Sequence, residues 1–160
     1  MQRSAAAIEA LCTDPGLEPH WKPNPERWST VEILGHLADE EREDFRLRLD
    51  LTLHHPEKEW PPIDPEGWVT ARKYSQKDPQ RVLEDFLSER RRSIAWLDGL
   101  ESPDWSIARS HPHAGSLSAG DLLASWVNHD LLHLRQIVRL QHEWVEATSK
   151  PYRTRYAGEW

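Results

Sequence analysis

Two histidines, His129 and His133, lie on the otherwise apolar face of a predicted helix between Leu117 and Trp144. Apolar residues recur around them at steps of three and four, the spacing of a helix face that packs against a core. These residues are Leu122, Trp126, Ile137, Leu140 and Trp144. Burying an imidazole there without partners costs a few kcal/mol. That cost falls if a metal ion uses one ring nitrogen and a hydrogen-bond partner uses the other.

The spacing of this pair also suits metal binding. Residues four apart lie one turn apart on a helix, so both imidazoles can reach one ion, as in zinc-binding helices. A third ligand has to come from another helix, and His36 is the obvious candidate. Parallel and antiparallel helices would both bring it level with the pair, and the sequence does not choose between them. The alternative is a pair of core histidines bonded to backbone carbonyls or carboxylates.

Three histidines with an open coordination position describe a reactive metal site rather than a closed structural one. Such an ion lowers the pKa of a bound water or thiol and polarises carbonyls. Neutral nitrogen ligands suit Zn, Ni, Fe or Cu, and the residues alone do not choose among these metals.

Other polar residues near this face are weaker candidates. Glu40, one turn after His36, is a candidate base or orienting partner. Asp130 is a weak catalytic candidate that is expected to reach a neighbouring helix or to help place the histidine pair, and Gln136 is a candidate hydrogen-bond partner of His133. An exposed or structural role is the simpler interpretation of each. The remaining histidines are interpreted as surface or helix-end residues; they are His20, His54, His55, His111, His113 and His142, of which His113 is the strongest exception.

Composition excludes several classes of protein. The chain has 160 residues, a net charge of −7 and a pI near 5.7, which argues against nucleic-acid binding. Its one basic cluster, residues 90–92, points in three directions on a helix and is predicted to be solvated. The sequence shows neither a membrane-spanning run nor a secretory signal. With one cysteine, Cys12, interpreted as a buried apolar residue, a cytoplasmic location is expected. The nine tryptophans supply core mass or line an apolar pocket.

Helix start and stop signals divide the chain into four helical segments. A capping box, Ser29 with Glu32, begins the second, and a similar pair, Ser118 with Asp121, begins the fourth. Gly99 is expected to end the third as a left-handed cap. The segments are predicted at about residues 4–13 (closed by Asp14, Pro15 and Gly16), 29–53, 78–99 and 118–144. The second presents an apolar stripe of Val31, Leu34, Leu37, Ala38, Phe45 and Leu49, with acidic residues on its other side.

Four amphipathic helices predict an all-α protein, a four-helix bundle formed by one domain over residues 1–160. Residues 54–77 form a long, proline-rich crossover between the second and third helices, and connections of this length often join parallel neighbours. No segment has the period of a β-strand.

Two stretches of the chain resemble a known family. WSTVEILGHL at 28–37 is similar to the opening of the second helix in the DinB-like (DinB/YfiT-like) superfamily. HPHAGSLS at 111–118, followed by HDLLHLRQI at 129–137, resembles its second signature. The likeness extends from Trp28 to about Leu140, and the two motifs together are specific.

The resemblance implies an up-down-down-up bundle with a divalent ion, often nickel or zinc, held by His36, His129 and His133. Members of this family include thiol-dependent S-transferases and a maleylpyruvate isomerase that use mycothiol or bacillithiol, together with proposed metal-dependent hydrolases. Homodimers are common among them.

The leading functional hypothesis is a metal-dependent enzyme that activates water or a low-molecular-weight thiol for attack on a small electrophile. It would be a hydrolase or a thiol S-transferase, without nucleic-acid or membrane partners. One alternative is a non-catalytic metal-binding stress or sensor protein. Another is a structural bundle whose histidines are satisfied without metal.

Overall fold

Four long helical stretches make up most of the structure, a computed structural model that describes residues 1–13, 16, 18–111 and 115–160. The second stretch is continuous but contains a π-helical segment, Glu40–Phe45. The helices are α1 (Gln2–Cys12), α2 (Thr30–Asp39), α3 (Arg46–His54), α4 (Pro65–Ala71), α5 (Pro79–Asp98) and α6 (Ala119–Thr148). The bundle consists of α1, the α2–α3 helix, α5 and α6.

Packing in two apolar clusters fixes the directions of three of these helices. One cluster joins Leu34 near the start of the second helix, Phe86 in the first half of α5, and Ile137 in the second half of α6. The other joins Leu49 in α3 with Trp126 in the first half of α6, and Trp96 near the end of α5 packs against it. The α2–α3 helix and α5 therefore run parallel, and α6 runs antiparallel to both.

The direction of α1 follows from two side-chain contacts. Ser4 donates a hydrogen bond to Asp130, and Gln141 donates one to the carbonyl of Leu11. Residue numbers increase in the same direction along the two helices at these contacts, so α1 runs parallel to α6. The result is the up-down-down-up bundle expected from the family resemblance, with the long crossover joining the two parallel helices.

Local signals predicted the helix starts well and the ends less well. The capping boxes at Ser29 and Ser118 are both formed, with Glu32 and Asp121 as partners. Gly99, however, has φ −85°, so the expected left-handed cap is wrong. Its N–H instead donates to the carbonyls of Ala95 and Trp96 in the last turn of α5, so that helix ends without a residue in the left-handed conformation. Helix α6 continues to Thr148, one turn beyond the predicted end.

Helix α4, a 3-10 turn and a two-stranded sheet were not predicted. Helix α4 and a 3-10 turn, Tyr74–Gln76, lie within the crossover. A two-stranded antiparallel sheet, Ala108–His111 with Gly115–Ser118, precedes α6, so the expectation of no strand is wrong. Each of these elements is too short for a period to be recognised in the sequence, and although exposed and half-buried residues alternate along the first strand, they do not along the second. Tertiary contacts therefore decide them. The predicted stop at Asp14 and Pro15 lies outside the described residues, as does His113.

The apolar stripe of the second helix is confirmed, but its acidic residues are not on a solvated face. The stripe residues are all buried. Glu32, Asp39, Glu40 and Glu41 are buried too, at 5%, 2%, 5% and 1% exposure. The π-helical segment lies where the acidic run begins. Each buried carboxylate therefore needs a partner inside the protein.

Candidate metal centre

The start of α2 is held firmly, and this fixes the position of His36. Ser29 accepts from the Glu32 N–H, while a Glu32 carboxylate oxygen accepts from the Ser29 N–H at 2.7 Å. Lys22 pairs with the same carboxylate at 2.8 Å. His36 follows one turn after this capping box, and its side chain is buried against α6. The strongest start signal in the sequence thus positions the candidate ligand.

The three candidate histidines converge. Nε2 of His129 lies 3.3 Å from Nε2 of His36 and 3.1 Å from Nε2 of His133. One nitrogen from each ring lies within 4.8 Å of the others. For metal–nitrogen bonds of about 2.0–2.1 Å, neighbouring ligand atoms are about 2.9–3.4 Å apart in octahedral or tetrahedral geometry. The two short distances match the edges of such a polyhedron.

All three rings are held in their neutral form. Burial, followed by the neighbouring His133 and His129, lowers the pKa of His36 to about 3. Burial and then His133 lower the pKa of His129 to about 4. The pKa of His133 is lowered as well, mainly by burial. Neutral imidazole is the form that binds metal.

Hydrogen bonds within the cluster cannot satisfy all of the ring nitrogens that face one another. Nδ1–H of His133 donates to Oε1 of Gln136 at 2.8 Å, so its Nε2 presents a lone pair. Nε2 of His129 faces both other rings and can donate only one proton between them. The backbone carbonyl of Pro65 partly offsets the lowering of the His36 pKa, although Nδ1 of this ring makes no hydrogen bond of ordinary geometry to a described residue. Converging lone pairs repel one another, and a cation at their centre removes that repulsion.

A pocket of about 830 Å³ opens beside the three rings. Trp28 lies on one side, with its ring centroid 5.0 Å from that of His36. Residues 63–66 of the crossover and Glu40 complete the lining. The long crossover therefore covers the candidate site, which leaves room for a small molecule beside the histidines.

Glu40 is the acidic residue that lines this pocket from within the bundle. It is 5% exposed, and its Oε1 has no hydrogen-bond partner in the described part of the chain. Burial, then the nearby Asp44, raises its pKa, and the two carboxyl groups share a hydrogen bond. A protonated Glu40 bonded to Asp44 explains how two acidic side chains remain adjacent while buried.

Comparison with known proteins agrees with this architecture. The DinB superfamily model matches residues 2–137, most of the chain. The chain belongs to the DinB superfamily. Among solved structures, it resembles YfiT from Bacillus subtilis at 20% identity and a TM-score of 0.67, covering 89% of this chain and 86% of that one. YfiT is described as a probable metal-dependent hydrolase with an unusual four-helix bundle topology. At this identity the likeness shows the fold. No curated protein matches the sequence.

In this DinB superfamily chain, Asp130 lies away from the pocket, although it adjoins His129. Its two oxygens each accept from Arg90 at 2.6 Å, and one accepts from Ser4 at 2.5 Å. It is 0% exposed and faces the bundle interior. These contacts fix α6 behind the histidine pair and leave no Asp130 oxygen directed at the site.

The same contacts correct the prediction that the arginines at 90–92 are solvated. Arg90 is 2% exposed and also pairs with Glu41 at 2.6 Å, whereas Arg91 and Arg92 are exposed. A signal was present in the sequence, because Arg90 follows the buried Phe86 by one helical turn. An apolar stripe that continues into an arginine predicts a buried ion pair when acidic residues are available on other helices.

Of the remaining histidines, the five that the structure describes do not join the cluster. His20, His54 and His55 are at the surface, with the imidazole of His54 paired to Asp50. His142 is half-buried and stacks on Trp160. The ring centroids of His111, which is also half-buried, and Trp60 are 6.0 Å apart.

Cys12 is partly buried against the core, and burial raises its pKa to about 12, which agrees with its interpretation as an apolar residue. No helix in the described part of the chain is long and apolar enough to cross a membrane.

Proposed function

We propose that this protein is a metal-dependent enzyme whose ion, Zn or Ni in preference to Fe, is held by His36, His129 and His133. The observation that carries the proposal is the convergence of three neutral Nε2 atoms beside a pocket. The description of YfiT as a probable metal-dependent hydrolase supports it. When bound, such an ion supplies Lewis acidity that activates water or a low-molecular-weight thiol toward a small electrophile.

The residues around the ligands have separate roles in this proposal. Gln136 fixes the tautomer of His133, so that Nε2 remains available to the ion. Glu40 holds a proton beside the pocket and exchanges it with the reacting molecules as general acid or base. Trp28 and the crossover residues Ile63 and Pro65 exclude bulk water from one side.

Metal content tests the ligand assignment. Untagged protein is expected to contain about one divalent ion per chain by elemental analysis, and His129→Ala to lose it. His142→Ala is the matched control, since it removes a histidine from the same helix outside the cluster. Folded wild-type protein without metal that also fails to take up added Zn²⁺ or Ni²⁺ would favour the structural bundle.

Catalysis is tested with Glu40→Gln, which keeps the size of the side chain but removes its proton exchange. The variant is expected to keep its metal and to lose about 100-fold or more of any activity found with esters or thiol acceptors. Protein that binds metal but shows no activity in either screen would favour the alternative, a metal-binding stress or sensor protein.

A homodimer is a further part of the proposal. Val127 and Leu131 lie one turn apart on α6 and are 40% and 56% exposed. An exposed apolar strip on a bundle helix suits contact with a second copy. Sedimentation of the wild type against Leu131→Glu measures this; a monomeric wild type would contradict it.

A further inference from the structure

A second cleft, of about 800 Å³, shares His133 with the candidate metal pocket but is otherwise lined by different residues. Three arginines line it: Arg27 from the segment before α2, and Arg135 and Arg139 from α6. Gln136 and His133 complete the wall on α6. Since His133 lines both spaces, the cleft and the metal pocket meet at a candidate ligand.

The charge of this cleft is opposite to that of the whole chain. Glu143 pairs with Arg139 at 2.9 Å and with Arg27 at 3.6 Å, and so offsets one of the three positive charges. Arg135 is exposed and has no ion pair among the described residues. A positive cleft on a chain of net charge −7 is a local feature that attracts an anion and concentrates it beside the histidines.

Apolar groups adjoin the arginines. Leu132, 45% exposed, and Trp160, which stacks on His142 with centroids 4.5 Å apart, both line the cleft. A guanidinium binds planar or tetrahedral oxyanions through paired hydrogen bonds. An indole ring contacts an apolar body. The walls therefore fit a molecule with one anionic end and one apolar part.

We propose that this cleft binds the anionic group of the substrate, an organic carboxylate or phosphate, and so directs its reactive part toward the three histidines. The inference rests on the proposed function for the identity of the reacting centre. The binding of the anion itself depends only on the arginines. The two proposals can therefore fail separately.

Calorimetric titration with benzoate, phenyl phosphate and neutral benzamide tests the inference. At least one of the two anions is expected to bind, and benzamide to bind at least tenfold more weakly. Loss of one charge-assisted hydrogen bond weakens binding by roughly tenfold or more. Arg135→Gln and Arg139→Gln are each expected to weaken the binding of the anion by this factor. Arg91→Gln, an exposed arginine on α5, is the matched control and is expected to stay within about twofold of wild type.

The same titrations on chelator-treated protein separate the cleft from the ion. If metal-free wild-type protein still binds the anion and the metal-free arginine variants do not, the cleft proposal is supported even if the metal proposal fails. Binding that disappears with the metal while both arginine variants behave as wild type would place the anion on the ion and overturn the inference. Equal affinity for benzamide and benzoate, or no binding of either anion, would also overturn it. A preference between benzoate and phenyl phosphate tells which oxyanion the cleft takes.

Discussion

Arg90, Glu41 and Asp130 form a buried ionic cluster in which one guanidinium meets two carboxylates from different helices. Trp126 Nε1 donates to the same Glu41 oxygen at 2.7 Å, and Ser4 donates to Asp130. These donors compensate the excess negative charge. Arg90 also donates to the Met1 carbonyl at 3.1 Å, so four parts of the bundle meet at this residue, and the cluster lies directly behind His129.

Removal of the Arg90 side chain should be strongly destabilising. Arg90→Ala leaves two buried carboxylates without a counter-ion, which costs about 3–5 kcal/mol in comparable cases. Arg91→Ala, at an exposed neighbouring position, should change the free energy of unfolding by no more than about 0.5 kcal/mol. Chemical denaturation measures both, and equal effects would contradict the structural role of the cluster.

The neutral histidines predict a pH dependence in metal-free protein. Unfolded His36 takes up a proton near pH 6.5, whereas folded His36 does so only near pH 3. Above about pH 6.5 the buried neutral ring therefore does not reduce the free energy of unfolding. As the pH falls from 6.5 toward 3, the unfolded state binds a proton that the folded state does not, and the free energy of unfolding decreases. Between about pH 7.5 and about pH 5 this amounts to roughly 2 kcal/mol.

Urea unfolding of chelator-treated protein at these two pH values tests the assignment. His36→Asn should show a shallower loss of stability than wild type, because asparagine does not titrate. His54→Asn, which removes an exposed imidazole, should keep the wild-type slope. Identical slopes for wild type and His36→Asn would contradict the prediction.

At the scale of elements, the crossover is attached to α2 by a close approach to Gly35. A Cβ at this position would lie 2.8 Å from the Tyr74 ring, a fully buried residue of the 3-10 turn. The Tyr74 hydroxyl also donates to Asp39, one turn further along α2. This packing lies beside His36, so the glycine lets the crossover close over the candidate site.

Gly35→Ala should therefore destabilise the protein, although alanine is the better helix former. Overpacking of this kind costs about 1–3 kcal/mol and exceeds the gain of about 1 kcal/mol in helix propensity. Gly120→Ala in the first turn of α6 is the control, because its Cβ would meet only ordinary contacts, and it should be neutral or stabilising. Thermal unfolding compares the two, and a stabilised Gly35→Ala would show that the ring moves aside easily.

For the whole molecule, the proposed ligands connect α2 to α6, two helices far apart in the sequence. His36 and His129 are 93 positions apart, yet their Nε2 atoms are 3.3 Å apart. An ion bound here closes a long loop and binds the folded state alone. Metal binding and global stability should therefore be linked.

Removal of the metal should lower the melting temperature. An ion whose free concentration is about a thousand times its dissociation constant stabilises the folded state by about 4 kcal/mol. For a chain of this size, that corresponds to a rise of about 8–16 °C in the melting temperature. Added Zn²⁺ or Ni²⁺ should restore the loss in wild type but not in His129→Ala. A chelator that leaves the melting temperature of metal-loaded protein unchanged would contradict the prediction.

The sequence by itself determined the helix starts, the apolar stripes and the spacing of His129 and His133. These depend on hydrogen bonds and side-chain contacts within about four residues, which a local pattern records. It also carried the two motifs that indicate the family. The sequence also named His36 as the candidate third ligand, but it did not determine whether the helix of His36 runs parallel or antiparallel to that of His129 and His133.

Only the tertiary structure decided which groups meet across the bundle. The burial of Arg90 depends on Asp130, 40 positions away, and on Glu41, 49 positions away. The strands at 108–118 and helix α4 are too short for a period, and their neighbours hold them in place. Contacts between distant segments leave no repeating local pattern. The approach of His36 to the other two imidazoles, the buried ion pairs and the arginine-lined cleft therefore emerge only when the helices pack.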